Sequence, residues 1–242
     1  MAFEYRAKRP EENWQRNWET AIFWTSLIPA FLWGVAFGNI VRGVKIDQHF
    51  EYVGSVGDLL NPYALLGGLV TLTLFTFHGA VFTALKTVGD IRVRARKLAL
   101  WVGLVTAVVA LAFLLWTQAH SGDGKSLVAL VVAVAALVSA LVANQFGREG
   151  WAFTLSGVTI VAAVAMLFLS LFPNVMPSTL NGDWSLTVTN ASSSPYTLKI
   201  MTWLAAVATP LVVLYQGWTY WVFRKRIGTQ HIAPEAAAGA AH

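Results

Sequence analysis

Residues 98–119, LALWVGLVTAVVALAFLLWTQA, form a stretch of 22 residues without Asp, Glu, Lys or Arg. A helix needs roughly 20 mostly apolar residues to cross the hydrocarbon core of a bilayer. This stretch therefore predicts a transmembrane helix. Five further charge-free stretches of at least this length follow or precede it, so we predict an all-α integral membrane protein with about six transmembrane helices in a bundle.

The boundaries of the predicted spans come from charged residues and helix breakers. The fifth charge-free stretch is too long for one crossing, and its helix should end near Phe172 because Pro173 and Pro177 cannot continue it. Residues 174–199, rich in Ser, Thr and Asn, are predicted to form a loop. The six predicted spans are residues 20–41, 62–85, 98–118, 126–146, 151–172 and 200–223.

The chain outside this six-helix domain of residues 20–223 is polar at the start and rich in Ala at the end. Residues 1–19 carry Trp14 and Trp18 four positions apart, on one face of a helix that we expect to lie at the membrane surface. Residues 224–242 form a tail, which we predict to be disordered from residue 230 onward.

Composition agrees with a lipid-embedded chain. Apolar residues make up 56% and charged residues 12%, about half the charged share of a soluble globular domain. The net charge of +5 is divided among short loops and does not form the clustered basic face typical of a nucleic-acid partner. Cysteine is absent, which excludes disulfides and thiolate metal sites within this chain.

The distribution of Lys and Arg predicts the orientation in the membrane. Thirteen of these residues lie before the first span, between the second and third, between the fourth and fifth, or after the sixth, whereas four lie in the other loops. Positive residues in short loops tend to stay in the cytoplasm. We therefore predict an even number of spans with both termini cytoplasmic.

Polar groups inside the predicted spans are few. No Asp, Glu, Lys or Arg lies within the six spans, and His78 is the most readily titratable group inside one. A lone histidine can ligate haem iron or pass a proton, but it more often bonds to a neighbouring helix. Asn39 follows Gly34 and Gly38, which are spaced for close helix packing. We predict intramembrane polar contacts for His78 and Asn39, and no catalytic, cofactor-binding or metal-binding residue.

Several motifs resemble those of subunit II of the cytochrome bd quinol oxidases, in the family's order and over nearly the whole chain. They are FEYR at residues 3–6, NW at 17–18, GVAFGN at 34–39, LNPY at 60–63, KTVGD at 86–90, RAR at 94–96, WAF at 151–153, FPNVMPS at 172–178, MTW at 201–203, and Pro210 with Leu214 and Tyr215. In the family, the counterpart of residues 3–6 follows roughly a hundred residues that include the first helices and acidic residues associated with a proton route. The chain resembles a subunit II lacking these N-terminal helices.

The resemblance implies a two-subunit enzyme of the bacterial cytoplasmic membrane that oxidises quinol and reduces dioxygen to water in aerobic respiration. It implies a haem-bearing subunit I as partner, which holds haem b, haem d and the main quinol site. This chain would then be a non-catalytic membrane subunit surrounded by lipid, without a nucleic-acid partner.

Two other functions compete with this interpretation. Pro29 and Pro210 lie within the first and last predicted spans, where broken helices would suit a small transporter or channel component. Against that, no charged residue is placed to couple an ion, and the chain shows no convincing internal repeat. An assembly factor for a membrane complex is a third interpretation.

Overall fold

The computed structural model describes residues 2–228. Six of its helices are long and apolar enough to cross a membrane, which confirms the predicted all-α membrane bundle. The helices within the described residues are α1 (Ala2–Arg6), α2 (Glu12–Arg42), α3 (Pro62–Lys86), α4 (Asp90–Ser121), α5 (Gly124–Gln145), α6 (Glu149–Leu171) and α7 (Pro195–Val222).

Side chains just outside α3 and α5 explain where those two helices begin. The side-chain oxygen of Asn61 accepts the backbone N–H of Ala64 at the start of α3 (3.0 Å). Asp123 accepts the N–H of Ser126 in the same way at the start of α5 (2.8 Å). This backbone N–H lowers the pKa of the Asp123 carboxyl. Such caps satisfy donors that the first turn of a helix leaves without an intrahelical partner.

The predicted loop of residues 174–199 is wrong in two respects. It contains a small antiparallel sheet of β1 (Asn174–Met176) and β2 (Leu186–Thr187). In addition, α7 begins at Pro195, five residues before the predicted span. Ser194 accepts the N–H of Thr197 and Pro195 occupies the first helical turn, a combination that starts a helix. The prediction treated these two residues as turn formers only.

The polar residues near the N-terminus are largely helical. The second helix starts at Glu12 and runs without interruption into the first span, so Trp14 and Trp18 belong to its first turns. Their ring centroids lie 5.8 Å apart, and the ring of Tyr5 stacks on Trp18 at 5.4 Å. The segment predicted to be disordered, residues 230–242, lies outside the described residues.

Helices α2 to α6 pack into a bundle with α3 at its centre, in contact with α2, α4 and α6. Helices α2 and α3 approach closely because both carry glycines at the crossing. A Cβ atom added to Gly34 would overlap the carbonyl oxygen of Gly67, and one added to Gly38 would lie 2.8 Å from Ala64 Cα. Small residues allow such backbone contact between membrane helices, which lack a hydrophobic drive for association.

The bundle has two ends of different chemistry. The Arg-rich end comprises residues 86–97, 145–149 and 223–228, and the loop end comprises residues 43–61 and 172–194. At the loop end, the segments after α2 and α6 form a parallel bridge: Val44 N–H donates to Pro177 O and Thr179 N–H donates to Val44 O, each at 3.0 Å. The hydroxyl of Ser178 adds a bond to Ile46 O (2.7 Å).

Candidate functional site

A cavity of about 180 Å³ lies within the bundle, between α2, α3, α4, α5 and α6. Its walls are apolar except for Thr71 and Thr159. Both hydroxyls are already bonded to helix carbonyls, Thr71 to Ala30 O (2.7 Å) and Thr159 to Leu155 O (2.9 Å). Among the described residues, the lining of this cavity therefore presents no titratable group and no hydroxyl hydrogen free to bond a reacting molecule.

Asn39 lies where α2 meets the start of α3, and it is 6% exposed. Its amide nitrogen donates to Val35 O (2.9 Å) and Leu59 O (2.7 Å), and its oxygen accepts from the Asn61 amide (2.9 Å). Because Asn61 in turn caps α3, the pair joins the end of one helix to the first turn of the next. All of these bonds are internal, as expected for a buried amide with a structural role.

His78 is half-buried on α3 and faces α6. Its Nδ1 lies 2.7 Å from Ser156 Oγ, and its ring stacks on Phe153 with centroids 4.6 Å apart. Ser156 Oγ also donates to Phe153 O (2.8 Å) within α6. His78 Nε2 makes no hydrogen bond within the described residues.

Glu149, the first residue of α6, is the most deeply buried carboxylate among the described residues, at 2% exposure. Three arginines surround it. Arg92 donates through Nε (2.9 Å) and Nη2 (2.7 Å), Arg226 Nη2 lies 3.3 Å away, and Arg96 Nε lies 3.8 Å away. A buried carboxylate needs such partners to offset its lost hydration, and a negative charge at a helix N-terminus is further stabilised by the helix dipole.

Arg96 extends this cluster to α5. Its Nη2 donates to the carbonyls of Asn144 and Gln145, both at 3.0 Å, at the end of α5. Asn144, which is 2% exposed, returns a bond from Nδ2 to Arg96 O (3.2 Å). The cluster thus joins α4, α5, α6 and the segment after α7 at the Arg-rich end.

The end of α7 is attached to α3 beside this cluster. Lys86 Nζ donates to Phe223 O (2.6 Å), and Ile227 N–H donates to Lys86 O (2.7 Å). Val88 N–H donates to Ile227 O at 3.3 Å. Together with the Arg226 ion pair, these bonds hold the C-terminal end of α7 against the bundle.

Sequence reasoning placed His78 and Asn39 in helices but did not find the Glu149 cluster. Glu149 precedes the predicted span of residues 151–172 and was counted with the loop, where carboxylates are usually solvated. The spacing of Arg92 and Arg96 is a signal, because residues four positions apart share one face of a helix. Two arginines on one face indicate a possible carboxylate partner. The identity of the carboxylate that they contact depends on the tertiary structure and cannot be read from spacing.

The cavity inside the bundle does not fit a haem. The cavity is smaller than the roughly 300–1,000 Å³ of pockets that enclose sizeable ligands, and His78 does not line it. Within residues 2–228 there is also no group of three or more His, Cys, Asp or Glu placed to hold a metal ion.

Comparison with known proteins gives one family. The family model for cytochrome bd terminal oxidase subunit II matches residues 1–223. Cytochrome bd ubiquinol oxidase subunit 2 of Bacillus subtilis (strain 168) is 40% identical over 233 residues, covering 94% of this chain and 69% of that protein. Cytochrome bd-I ubiquinol oxidase subunit 2 of Escherichia coli (strain K12) is 31% identical over 270 residues, covering 96% and 71%.

A third relative, the probable cytochrome oxidase subunit 2 of Haemophilus influenzae, is 31% identical over 261 residues, covering 91% of this chain and 68% of that protein. The match to the family model, over residues 1–223, extends across every helix described above and confirms the resemblance found in the sequence motifs. The chain therefore belongs to the cytochrome bd terminal oxidase subunit II family.

Proposed function

We propose that this chain is the membrane subunit that supports a haem-bearing subunit I in a cytochrome bd-type oxidase, which oxidises quinol and reduces dioxygen to water. The family match over residues 1–223 carries this proposal. A subunit II is a multi-pass protein of the bacterial cytoplasmic membrane and part of a quinol oxidoreductase. The family does not favour the transporter or channel interpretation.

The interior of the chain is consistent with a supporting subunit. Within residues 2–228, the lining of the cavity offers no titratable side chain, and the amide of Asn39 bonds to groups of this chain. We therefore assign haem b, haem d and the quinol-oxidising site to the partner. The role we propose for Asn39 and His78 is to fix the packing of α2 on α3 and of α3 on α6.

The deciding experiment is purification of the tagged chain from membranes of a bacterium that carries the whole oxidase operon. A reduced-minus-oxidised spectrum should show b- and d-type haem bands, and the preparation should consume oxygen with added quinol. Absence of a haem protein from a preparation in which the chain is intact and folded would contradict the proposal. A colourless preparation with transport activity in vesicles would revive the transporter interpretation.

We also propose that the Arg-rich end faces the cytoplasm. Its described cations are Lys86, Arg92, Arg94, Arg96, Lys97, Arg148, Arg224, Lys225 and Arg226. Such an excess on one side favours cytoplasmic retention. Because the chain contains no cysteine, single substitutions report orientation without background. A membrane-impermeant maleimide added to intact cells should label the Lys45→Cys variant and leave the Lys225→Cys variant unlabelled; the reverse pattern would contradict this orientation.

A further inference from the structure

Helices α5 and α6 leave two shallow depressions along the seam between their outer faces. The lining of the first, at the Arg-rich end, includes Val138, Val142, Phe146 and Leu155, with Arg148 and Trp151 where α6 begins. The lining of the second includes Ala129, Gly157, Val158, Val161, Ala162 and Ala165. Because Val158 follows Leu155 by about one turn of α6, the two depressions adjoin. Together they form the α5–α6 groove.

Small residues leave room for an occupant in the second depression. A Cβ atom added to Gly157 would meet nothing within 4 Å. Ala129, Ala162 and Ala165 line the same depression with one methyl group each. Helices α5 and α6 are nevertheless packed against each other along the seam. The α5–α6 groove is therefore a narrow surface channel, which suits a thin hydrocarbon chain better than a helix with a diameter of roughly 10–12 Å.

The length of the α5–α6 groove matches one leaflet of a bilayer. Trp151 is 64% exposed at the start of α6, and exposed tryptophans prefer the headgroup level of a membrane. From Trp151 to Val161, a helix rises about 15 Å at 1.5 Å per residue. This rise equals half of a hydrocarbon core that is about 30 Å thick. An acyl chain whose headgroup lies beside Trp151 therefore reaches into the second depression.

The charge at the headgroup end of the groove is positive and uncompensated. The Arg148 side chain is exposed, and it makes no hydrogen bond or ion pair within the described residues. The adjacent Glu149 does not neutralise it, because that carboxylate is already paired with Arg92 and Arg226. The Arg-rich end as a whole carries nine cations and two carboxylates. The groove thus ends at a free guanidinium in a cationic surrounding.

We propose that the α5–α6 groove binds an anionic phospholipid, with the headgroup phosphate on Arg148 and one acyl chain along the seam. A guanidinium pairs well with phosphate oxygens, and basic residues at a membrane surface attract anionic lipids. A zwitterionic lipid carries the same phosphate together with a cation, which the surrounding arginines and lysines repel. The groove therefore prefers a headgroup with net negative charge. This site depends on the charges and shape of this chain and not on the proposed oxidase function.

A photoactivatable lipid tests this site. The full chain, together with any subunits that co-purify, is reconstituted into phosphatidylcholine vesicles that contain a trace of phosphatidylglycerol with a diazirine in its acyl chain. After irradiation, peptide mass spectrometry locates the lipid adducts. We expect adducts on residues 138–146 and 151–161, at roughly fivefold the yield obtained with phosphatidylcholine that carries the same diazirine, the factor for one basic residue near an anionic lipid. Equal yields from the two lipids would overturn the preference for an anionic headgroup.

Matched variants separate the headgroup contact from the acyl-chain contact. Arg148→Gln should lower the phosphatidylglycerol yield to that of phosphatidylcholine, whereas Arg94→Gln, which removes a charge from an exposed position of α4 outside the groove, should leave it unchanged. Gly157→Leu fills the second depression and should lower the adduct yield on residues 151–161 for both lipids. Its control is Gly79→Leu, at an equally open position on α3, which should not change that yield.

Three outcomes would contradict the proposal. Equal losses for Arg148→Gln and Arg94→Gln would reduce the effect to a general attraction of lipid to the Arg-rich end. An adduct yield that does not respond to Gly157→Leu would contradict the position of the acyl chain. Adducts on other membrane-spanning segments with none along the seam would show that another polypeptide or a second copy of this chain covers α5 and α6. None of these results depends on haem content, so the proposed function is tested separately.

Discussion

The bundle of α2 to α6 and the single helix α7 are both membrane-spanning, yet they satisfy their side chains in different ways. In the bundle, glycines and small residues bring backbones into contact, as at Gly34 and Gly67, and buried amides bond internally. In α7, no residue is buried, and the attachment at one end consists of hydrogen bonds, one ion pair and the ring contacts of Tyr220. Similar apolar composition therefore does not predict similar packing.

The difference shows what each part needs for stability. Membrane helices gain little from apolar burial, because lipid is as apolar as a protein core, so they depend on close packing and on polar bonds. The bundle has both within this chain. At the Arg-rich end α7 has polar bonds and the ring contacts of Tyr220 with Phe82 and Phe153, while the described chain buries none of its residues.

The largest effect should come from breaking the close packing of the bundle. In the Gly34→Ala variant, the new methyl group meets the carbonyl of Gly67 and the hydroxyl of Thr71, and a backbone atom cannot move aside cheaply. We expect a loss of about 3 kcal/mol in the free energy of unfolding, the upper range for overpacking. Denaturant unfolding in mild detergent measures it.

The matched control for this variant is Gly157→Ala on α6, where an added Cβ meets nothing within 4 Å. It should be neutral or stabilise by up to about 1 kcal/mol, because alanine has the higher helix propensity. Equal losses in the free energy of unfolding for the two substitutions would show that the close contact between α2 and α3 does not account for the stability of the bundle.

The next effect concerns the attachment of α7. The Glu149→Gln variant leaves Arg92, Arg96 and Arg226 without their carboxylate. Breaking a buried ion pair costs about 3–5 kcal/mol, but these arginine side chains are 32–34% exposed and partly solvated, so we expect about 2 kcal/mol. Protease cleavage after Arg224 and Arg226 should become faster as the C-terminal end of α7 detaches from the bundle.

The control is Glu51→Gln, in the exposed segment before the short 3₁₀ helix at Val56–Leu59. It should leave both stability and the cleavage rate unchanged. If Glu149→Gln behaves like this control, the bonds of Lys86 and Ile227 are enough to hold the C-terminal end of α7. The ion pair with Glu149 would then not be needed for this attachment.

A smaller effect is expected between α3 and α6. The Ser156→Ala variant removes the bond to His78 Nδ1 and should cost about 1 kcal/mol, the usual size of one hydrogen bond between helices. The Thr154→Ala control, whose hydroxyl bonds only to Gly150 O in its own helix, should change stability little. Thermal unfolding of the purified complex compares them. A larger loss for Thr154→Ala would argue against a structural role for His78.

The smallest effect lies at the loop end and depends on pH. The Lys45 side chain (2.9 Å) and then the Ser55 N–H lower the pKa of Asp58 from 3.8 to about 2. Because the folded pKa is the lower one, this stabilisation is complete above about pH 4 and disappears as the pH falls toward 2. Asp58→Asn should remove that part of the acid sensitivity of the thermal midpoint. Identical plots of thermal midpoint against pH for the native chain and Asp58→Asn would contradict this role of Asp58.

The sequence predicted the six long apolar helices because hydrophobic length is a local property. Charge-free stretches and Pro173 placed the end of the fifth span near Phe172, one residue beyond the observed end at Leu171. The start of α7 was missed by five residues, since Ser194 and Pro195 serve equally in turns and at helix starts. A local pattern does not choose between these uses.

The polar contacts were less predictable. His78 was recognised as a polar group within a span, but its partner Ser156 is 78 residues away and no spacing rule connects them. Glu149 was overlooked because its burial depends on Arg92 and Arg226 arriving from α4 and from beyond α7. The uncovered length of α7 is likewise invisible in sequence, where its composition matches that of packed spans.

The parallel bridge at the loop end bears on how the molecule moves. Sliding α2 along α6 would break the bonds of Val44 with Pro177 and Thr179, and that of Ser178 with Ile46, at the same time. Shear between packed helices is a common mode of conformational change, and this bridge opposes it. Helices α2 and α6 should therefore move as one rigid body. A pair of spin labels on them should keep one narrow distance distribution throughout turnover.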